Sequence, residues 1–228
     1  RERCEICSST AVKSRREFKK VYKETIEEME KIFDIKIEKK IKVRMVNAKK
    51  VNDGFDTPYV PSPRMDMRVL GYATEKKGQH LIMVENGAPR LTMKQTLVHE
   101  LTHIWQHENW GDFAYDTLSE KSIVEGMAVW TEIQYLAAIG EIDKAKRYKI
   151  NRSGDTTSPY GIGMQMYLKK YPIQETRPIN TKRTPFKKNS RQYNDCRSYR
   201  NRQLRPNIRW RLPINNLWRH STWEKENY

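Results

Sequence analysis

Cysteine and long apolar runs are both scarce in this 228-residue chain. The three cysteines, Cys4, Cys7 and Cys196, are too few for the disulfide framework of a small secreted domain. The charged N-terminus has no apolar core segment, so no signal peptide is predicted, and a reducing, cytoplasmic location is expected. No apolar run approaches the roughly 18 residues that cross a bilayer, so no membrane partner is expected.

Acidic residues are outnumbered by basic residues, and this imbalance is uneven along the chain. Asp and Glu number 28 against 44 Lys and Arg, which gives a formal net charge of +16. Residues 174–228 contain 14 Lys and Arg against 4 Asp and Glu, a net charge of +10. A basic excess of this kind favours contact with a polyanion such as nucleic acid. Because most of it lies in the last quarter of the chain, it says little about the chemistry of the rest.

The sequence divides into three segments. Residues 1–10 contain Cys4-x-x-Cys7, which is half of a four-ligand zinc site. We interpret it as the remnant of a zinc knuckle, with a redox pair or an inert pair as alternatives. Residues 11–173 have the apolar periodicity of a folded domain. Residues 174–228 lose it and are predicted to be a basic tail, either disordered or with a fold that its sequence does not show; a change of reading frame would produce the same switch.

The middle segment predicts an α+β domain. A helix is expected from Ala11 to about Phe33, a strand at Ile41–Val46 and a loop over residues 52–63. Residues 69–74 and 80–84 are predicted to pair as an antiparallel hairpin. We therefore expect a small, mostly antiparallel sheet in the first half of the domain.

Helices dominate the second half of this domain. One is expected over residues 92–107, with Thr92 as N-cap and Gln95 completing a capping box. The next is expected to start at Thr117, with Glu120 in the same role, and to end at Gly140. Two shorter helices are predicted over residues 141–149 and 159–170.

The first of these helices carries the motif His99-Glu100-Leu101-Thr102-His103. Histidines four residues apart project from one helix face, so both imidazoles can reach one tetrahedral Zn²⁺ at about 2.0–2.1 Å. Glu100 is placed to take a proton from a water whose pKa zinc lowers to about 7. The alternative is an ordinary amphipathic helix with two surface histidines, because so short a motif also occurs by chance. An apolar strand at residues 81–84 favours the metal site, since zinc peptidases carry a substrate-pairing edge strand just upstream.

The motif leaves the third metal ligand open. A third histidine in the pattern H-E-x-x-H-x-x-G-x-x-H is excluded, because Gln106 and Asn109 occupy the Gly and His positions. His107 lies about 6 Å beyond the second motif histidine along the helix, which makes convergence on one ion awkward. Glu125, on the next helix, is the preferred ligand because its apolar neighbours would make an unpaired carboxylate costly. Glu132 is the fallback.

Three further residues have weaker signals. Tyr160 is a candidate donor to the oxyanion of a tetrahedral intermediate, although a role as a core aromatic is slightly favoured. His80 and His220 are expected to be solvated or structural.

Four segments resemble, in this order, the DA-one-like peptidases. They are Ala-Pro-Arg-Leu at residues 88–91, the extended motif at 96–105, Val-Glu-Gly at 124–126 and Tyr-Gly at 160–161. These peptidases are the LIM-domain-associated, ubiquitin-activated zinc peptidases of plants and their shorter microbial relatives. Cys4-Glu-Ile-Cys7 before a long helix also resembles the junction between their last zinc knuckle and the peptidase domain. The resemblance covers roughly residues 1–172.

The resemblance implies a zincin-like fold and a gluzincin site. A small sheet would lie over the active-site helix, with a helical C-terminal half beyond it. His99, His103 and Glu125 would hold the zinc, and Glu100 would be the general base. The chain has no ubiquitin-interacting motif and no full LIM domain, so ubiquitin dependence is not implied.

Two functions follow from the sequence. The first is a zinc-dependent endopeptidase that acts on a protein or peptide substrate. The alternative is a nucleic-acid-binding or scaffolding protein with an idle zinc site, which acts through the basic tail at residues 174–228.

Overall fold

The structure, a computed structural model, describes residues 5–53, 69–76, 79–110 and 117–186. A short mixed sheet packs with a set of helices around one main apolar core. In chain order, the elements are α1 (Glu5–Ser9), α2 (Arg15–Phe33), β1 (Ile41–Val46), α3 (Ala48–Asn52), β2 (Gly71–Lys76), β3 (Gln79–Glu85), α4 (Arg90–Trp110), α5 (Leu118–Ile139), α6 (Ile142–Ser153), α7 (Pro159–Lys170) and a 3₁₀ turn (Thr181–Arg183).

Helix α2 begins four residues later than expected. The segment before it is extended rather than helical, since Ala11 forms a β-bridge with Pro89 and the Val12 N–H donates to the carbonyl of Ala88 at 2.9 Å. Ser14 then caps the helix by accepting from the N–H of Glu17. Helix α2 is thereby attached to the chain that leads into α4.

The sheet has the strand order β1-β3-β2 and is mixed. The predicted hairpin is confirmed, because β2 and β3 are antiparallel. The expectation of a mostly antiparallel sheet is wrong, since β1 runs parallel to β3. A parallel pair needs a connection that crosses back over the sheet, and β1 and β3 are separated by α3 and β2 in the chain.

Strand β3, which contains the apolar run at residues 81–84, is central rather than at the edge. The consecutive residues Ile82, Met83 and Val84 are all buried, so both faces of this strand are covered there and its apolar run does not alternate with polar residues. Ile82 and Val84 are completely buried. The predicted substrate-pairing edge at β3 is therefore wrong, and among the described residues β2 lies at an edge beside α4.

Helix α4 starts at Arg90, so the predicted capping box of Thr92 and Gln95 is wrong. The first turn forms on Pro89, whose carbonyl accepts from the N–H of Met93 at 2.9 Å. Thr92 therefore lies inside the helix, and the side chain of Gln95 is available for another partner. The helix ends at Trp110, three residues beyond the expected end.

Helix α5 is the centre of the C-terminal half and packs against α4, α6 and α7. Its predicted capping box of Thr117 and Glu120 is confirmed, and it ends at Gly140, which has a φ of 99°. Helix α5 approaches α7 where Gly126 meets Gly163. A Cβ on Gly126 would lie 2.2 Å from the carbonyl carbon of Gly163, so the contact requires glycine.

Packing continues past residue 173, to Phe186. The Phe186 ring lies 4.8 Å from those of Phe33 and Trp105, centroid to centroid. The backbone of Gln174 forms two hydrogen bonds with the side chain of Gln134, at 2.8 and 2.9 Å. The folded unit thus includes the first 13 residues of the segment predicted as a tail (174–186).

Several predictions fall on residues outside the described ranges. Cys4, His220 and residues 187–228 lie outside them, as do residues 54–63 of the expected loop. Cys7 lies in α1, but its side chain is outside the description, so the zinc-knuckle interpretation stays a prediction. Among the described helices, none is both long enough and apolar enough to cross a membrane.

Candidate metal centre

Helices α4 and α5 bring the three predicted metal ligands together. Oε2 of Glu125 lies 3.2 Å from Nε2 of His99 and 3.5 Å from Nε2 of His103. One ligand atom from each residue lies within 4.8 Å of the other two, and all three side chains are buried. The two imidazoles meet edge to face, with ring centroids 4.7 Å apart. This cluster could hold a metal ion.

A carboxylate on α5 fixes the first imidazole. Nδ1 of His99 donates to Oε1 of Glu132 at 2.6 Å, which leaves Nε2 to face Glu125. The other oxygen of Glu132 accepts from Nε2 of Gln95 at 2.7 Å. Glu132, the fallback ligand, therefore lies behind His99 and holds its ring. Such carboxylate–histidine pairs orient the imidazole and increase its basicity toward a metal.

An amide fixes the second imidazole. The side-chain N–H of Gln106 donates to the carbonyl of Val124 at 3.0 Å, so its oxygen faces His103. That oxygen accepts from Nδ1 of His103 at 2.9 Å. Nε2 of His103 is then a buried lone pair without a hydrogen-bond partner in the described part of the chain. A buried nitrogen of this kind fits a metal ligand, because a cation would satisfy it.

The charges of the cluster are matched to a cation. Burial opposes a charge on His99, but hydrogen bonds to Glu125 and Glu132 outweigh it and raise its pKa to about 10. Burial likewise opposes a charge on Glu125, but His103 and His99 lower the pKa of this carboxyl to about 2. Without a metal ion, His99 therefore carries an additional proton, which Glu125 and Glu132 stabilise. A divalent cation bound at the cluster would displace this proton.

Glu100 is fully buried beside this cluster. Burial raises the pKa of its carboxyl to about 7, although His99 and His103 act in the opposite direction. The backbone of Ala73 on β2 approaches the carboxylate, yet neither oxygen has a partner in hydrogen-bonding geometry among the described residues. A carboxyl with a pKa near neutrality and unoccupied lone pairs is suited to general-base chemistry.

Tyr160 lies beside the cluster, in the first turn of α7. Its ring stacks on that of His99 at 29°, with centroids 6.2 Å apart, and its side chain is buried. The guanidinium of Arg152 lies 5.7 Å from the centroid of the same ring. The position is compatible with both interpretations of Tyr160, because the residue belongs to a core cluster and also adjoins a metal ligand.

Two supporting residues, Gln95 and Gln106, were not predicted from the sequence. A signal was present, since Gln95 is four residues before His99 and Gln106 is three after His103, which places all four on one face of α4. Polar residues three or four positions away from a histidine lie on the same helix face, and they are therefore candidates for hydrogen bonds to its imidazole.

His80 is buried rather than solvated, which leaves the structural interpretation. Burial lowers the pKa of its imidazole to about 4, with His107 and Lys39 acting in the same direction. His107 does not join the three-ligand cluster, in agreement with the helix geometry.

Comparison with protein-family models, with curated proteins and with solved structures gave no match. The chemistry of the site is therefore inferred from its own residues and geometry.

Proposed function

We propose that this protein is a zinc-dependent endopeptidase of the gluzincin type. The observation that carries the proposal is the convergence of His99, His103 and Glu125, with the buried carboxylate of Glu100 next to them. Each imidazole also has its second nitrogen held by a hydrogen bond, as metal-binding histidines do.

The donor set favours zinc. Two imidazoles and one carboxylate are the ligands of many catalytic zinc sites, where the fourth position stays open for water or substrate. Magnesium and calcium prefer all-oxygen ligands, so two buried imidazoles disfavour them. His99, His103 and Glu125 would hold the ion.

A bound zinc ion supplies a Lewis acid that polarises the scissile carbonyl and makes water acidic near neutral pH. The carboxylate of Glu100 accepts a proton from the attacking water and then passes it to the leaving amine. Tyr160 donates a hydrogen bond to the oxygen that becomes negative during attack. Glu132 and Gln106 keep the two imidazoles in the orientation that binding requires.

Strand β2 provides the surface for an extended substrate. The N–H of Glu85 donates to the carbonyl of Leu70, and the antiparallel register then directs the backbone groups of Gly71, Ala73 and Glu75 away from β3. Ala73 is the residue whose backbone approaches Glu100. A peptide added along this edge as a further strand would pass beside the general base.

The resemblance of four segments to the DA-one-like peptidases supports the same assignment of roles. It implies His99, His103 and Glu125 as zinc ligands and Glu100 as base, the residues that the geometry favours independently. Membership of that family is part of the proposal.

The test compares Glu100→Gln with Glu108→Gln, a matched change on the same helix. Purified wild-type protein and both variants should retain zinc when metal content is measured. Wild type and Glu108→Gln should cleave members of an unbiased peptide library, whereas Glu100→Gln should lose at least about 100-fold in rate. Unchanged cleavage by Glu100→Gln, or a wild-type protein that binds no metal, would refute the proposal.

The alternative, a nucleic-acid-binding or scaffolding protein with an idle zinc site, is favoured by the net charge of +10 in residues 174–228. A wild-type protein that is loaded with zinc, cleaves no library peptide, and binds nucleic acid with an affinity that falls steeply with salt would favour this alternative.

A further inference from the structure

A second cluster of two histidines and one glutamate lies at the far end of α4. It consists of Glu75 on β2, His80 on β3 and His107 on α4. One ligand atom from each residue lies within 4.8 Å of the other two, the same criterion that the first cluster meets. No residue is shared between the clusters, and His107 lies one helical turn beyond His103.

The geometry of this cluster parallels that of the first. The rings of His80 and His107 meet edge to face at 84°, with centroids 5.0 Å apart; those of His99 and His103 meet at 78° and 4.7 Å. Oε2 of Glu75 lies 3.3 Å from Nε2 of His107 and 4.0 Å from Nδ1 of His80. Ligand atoms around tetrahedral zinc are ~3.3 Å apart, so small side-chain movements would bring these three into coordination.

Two features indicate a ligand rather than a simple polar contact. His80 is 3% exposed, and both its Nε2 and Oε2 of Glu75, the oxygen nearest the two imidazoles, are buried without a hydrogen-bond partner among the described residues. Glu75 and His80 are direct partners across the hairpin, in a non-hydrogen-bonded pair that holds their side chains close. The backbone register therefore positions two of the three groups.

We propose that Glu75, His80 and His107 form a second binding site for a divalent transition metal of the zinc class. The ion would join the β2–β3 hairpin to the last turns of α4. Its role would be structural, because it would fix the edge strand to the helix that carries the first cluster. The donor set of two imidazoles and one carboxylate excludes magnesium and calcium as preferred ions.

Zinc stoichiometry tests this site without reference to catalysis. The background protein carries Cys4→Ser and Cys7→Ser, since these cysteines are themselves candidate zinc ligands. After loading with Zn²⁺ and gel filtration, native mass spectrometry should find two ions per chain. His80→Ala and Glu75→Gln should each retain one ion, His103→Ala should also retain one, and His80→Ala combined with His103→Ala should retain none.

Glu108→Gln is the matched control for Glu75→Gln. The Glu108 carboxylate accepts from the backbone of Glu38 and Lys39, next to the cluster but outside it, so this variant should keep two ions. Lys39→Met should strengthen binding of the second ion, because Lys39 acts on His80 as a positive charge. Glu75→Gln is a conservative change at a partly exposed position, so it keeps the test valid if His80→Ala fails to fold.

Three results would overturn the second site. They are a single ion in the background protein that is lost in His103→Ala, two ions that persist in both His80→Ala and Glu75→Gln, and equal loss of an ion in Glu108→Gln. A failure of the first site, on which the proposed function depends, gives a different result: a single ion that persists in His103→Ala and is lost in His80→Ala. In the loaded protein, the amides of β2 should also exchange hydrogen faster in Glu75→Gln than in Glu108→Gln.

Discussion

Each histidine of the first cluster is held from behind by a hydrogen bond at Nδ1. His99 has Glu132 behind it and Glu125 in front, and His103 has Gln106 behind it. The partners behind the rings decide which nitrogen carries the proton, and therefore which lone pair would face a metal ion. Residues that do not touch the ion would thus influence its affinity.

Glu132→Gln should weaken zinc binding about 10-fold, within the range known for such partners. The glutamine can still accept from Nδ1 of His99, but it lacks the negative charge that increases the basicity of the ring. Zinc affinity measured by competition with a chelator checks this. Glu141→Gln, an exposed carboxylate beyond the end of α5, is the control and should bind as wild type does. Equal affinities in the two variants would contradict the role of Glu132.

Tyr160→Phe separates the two interpretations of this residue. If the hydroxyl donates to the developing oxyanion, kcat should fall by about 100-fold while KM and zinc content stay unchanged. The aromatic ring that packs beside His99 is retained, so the fold should tolerate the change. Steady-state kinetics on a library-derived substrate provide the measurement. A kcat equal to that of wild type would leave Tyr160 as a core aromatic.

At the scale of elements, the contact between α5 and α7 positions Glu125, the proposed third ligand. Gly126 directly follows Glu125, and it meets Gly163 so closely that neither position accommodates a Cβ. The same contact places the first turn of α7, with Tyr160, beside His99. The contact between α5 and α7 therefore fixes the positions of both Glu125 and Tyr160.

Gly126→Ala should destabilise the protein and weaken zinc binding together, because the added methyl group forces α5 and α7 apart. A loss of about 1–3 kcal/mol in the free energy of unfolding is expected for such overpacking. Gly154→Ala is the matched control, since a Cβ there would meet its nearest atom at 3.9 Å. Chemical denaturation and zinc titration of both variants check the prediction. If Gly126→Ala loses stability but keeps wild-type affinity, the crossing does not position Glu125.

The sequence predicted elements best where their signals are local. The capping box of Thr117 and Glu120, the hairpin of β2 and β3, and α7 with Pro159 in its first turn are all read from neighbouring residues. The place of Glu125 in the cluster was predictable too, because it is a carboxylate in an apolar setting that requires a partner.

Predictions failed where distant parts of the chain decide the outcome. The parallel pairing of β1 with β3 leaves no trace in either strand, so the mixed sheet and its edge at β2 were not predictable. The start of α4 depends on the bridge between Ala11 and Pro89, far apart in sequence, and this contact overrode the Thr92 signal. Gln95, released from capping, binds Glu132 instead.

At the scale of the whole molecule, the metal is expected to contribute to stability. A ligand at 100 times its dissociation constant stabilises the folded state by about 2.7 kcal/mol, roughly 5–10 °C in Tm for a domain of this size. Removing zinc with a chelator should therefore lower Tm, and adding it back should restore Tm. The His103→Ala, Glu125→Gln double variant should lose the part of this shift that the first cluster contributes, while an ion at the second cluster would keep its own part. An equal shift in the double variant would place the stabilising ion elsewhere.

The net positive charge is concentrated in the last part of the chain. Residues 187–228 contain 11 Lys and Arg against 3 Asp and Glu, so half of the net charge of +16 lies beyond the described domain. Contact with a polyanion through this segment stays a prediction from composition. It is independent of the metal chemistry, because no ligand of either cluster lies there.

The whole first cluster and the groups that hold it fall between Gln95 and Glu132, on two helices that follow each other in the chain. Sites assembled from distant strands must wait for late folding events, but this one requires only that a helix and its successor meet. The closure entropy for so short a separation is small, so an ion could bind while the sheet is still forming. The metal would then act as a template for the fold, and zinc supply during synthesis would influence how much chain reaches the native state.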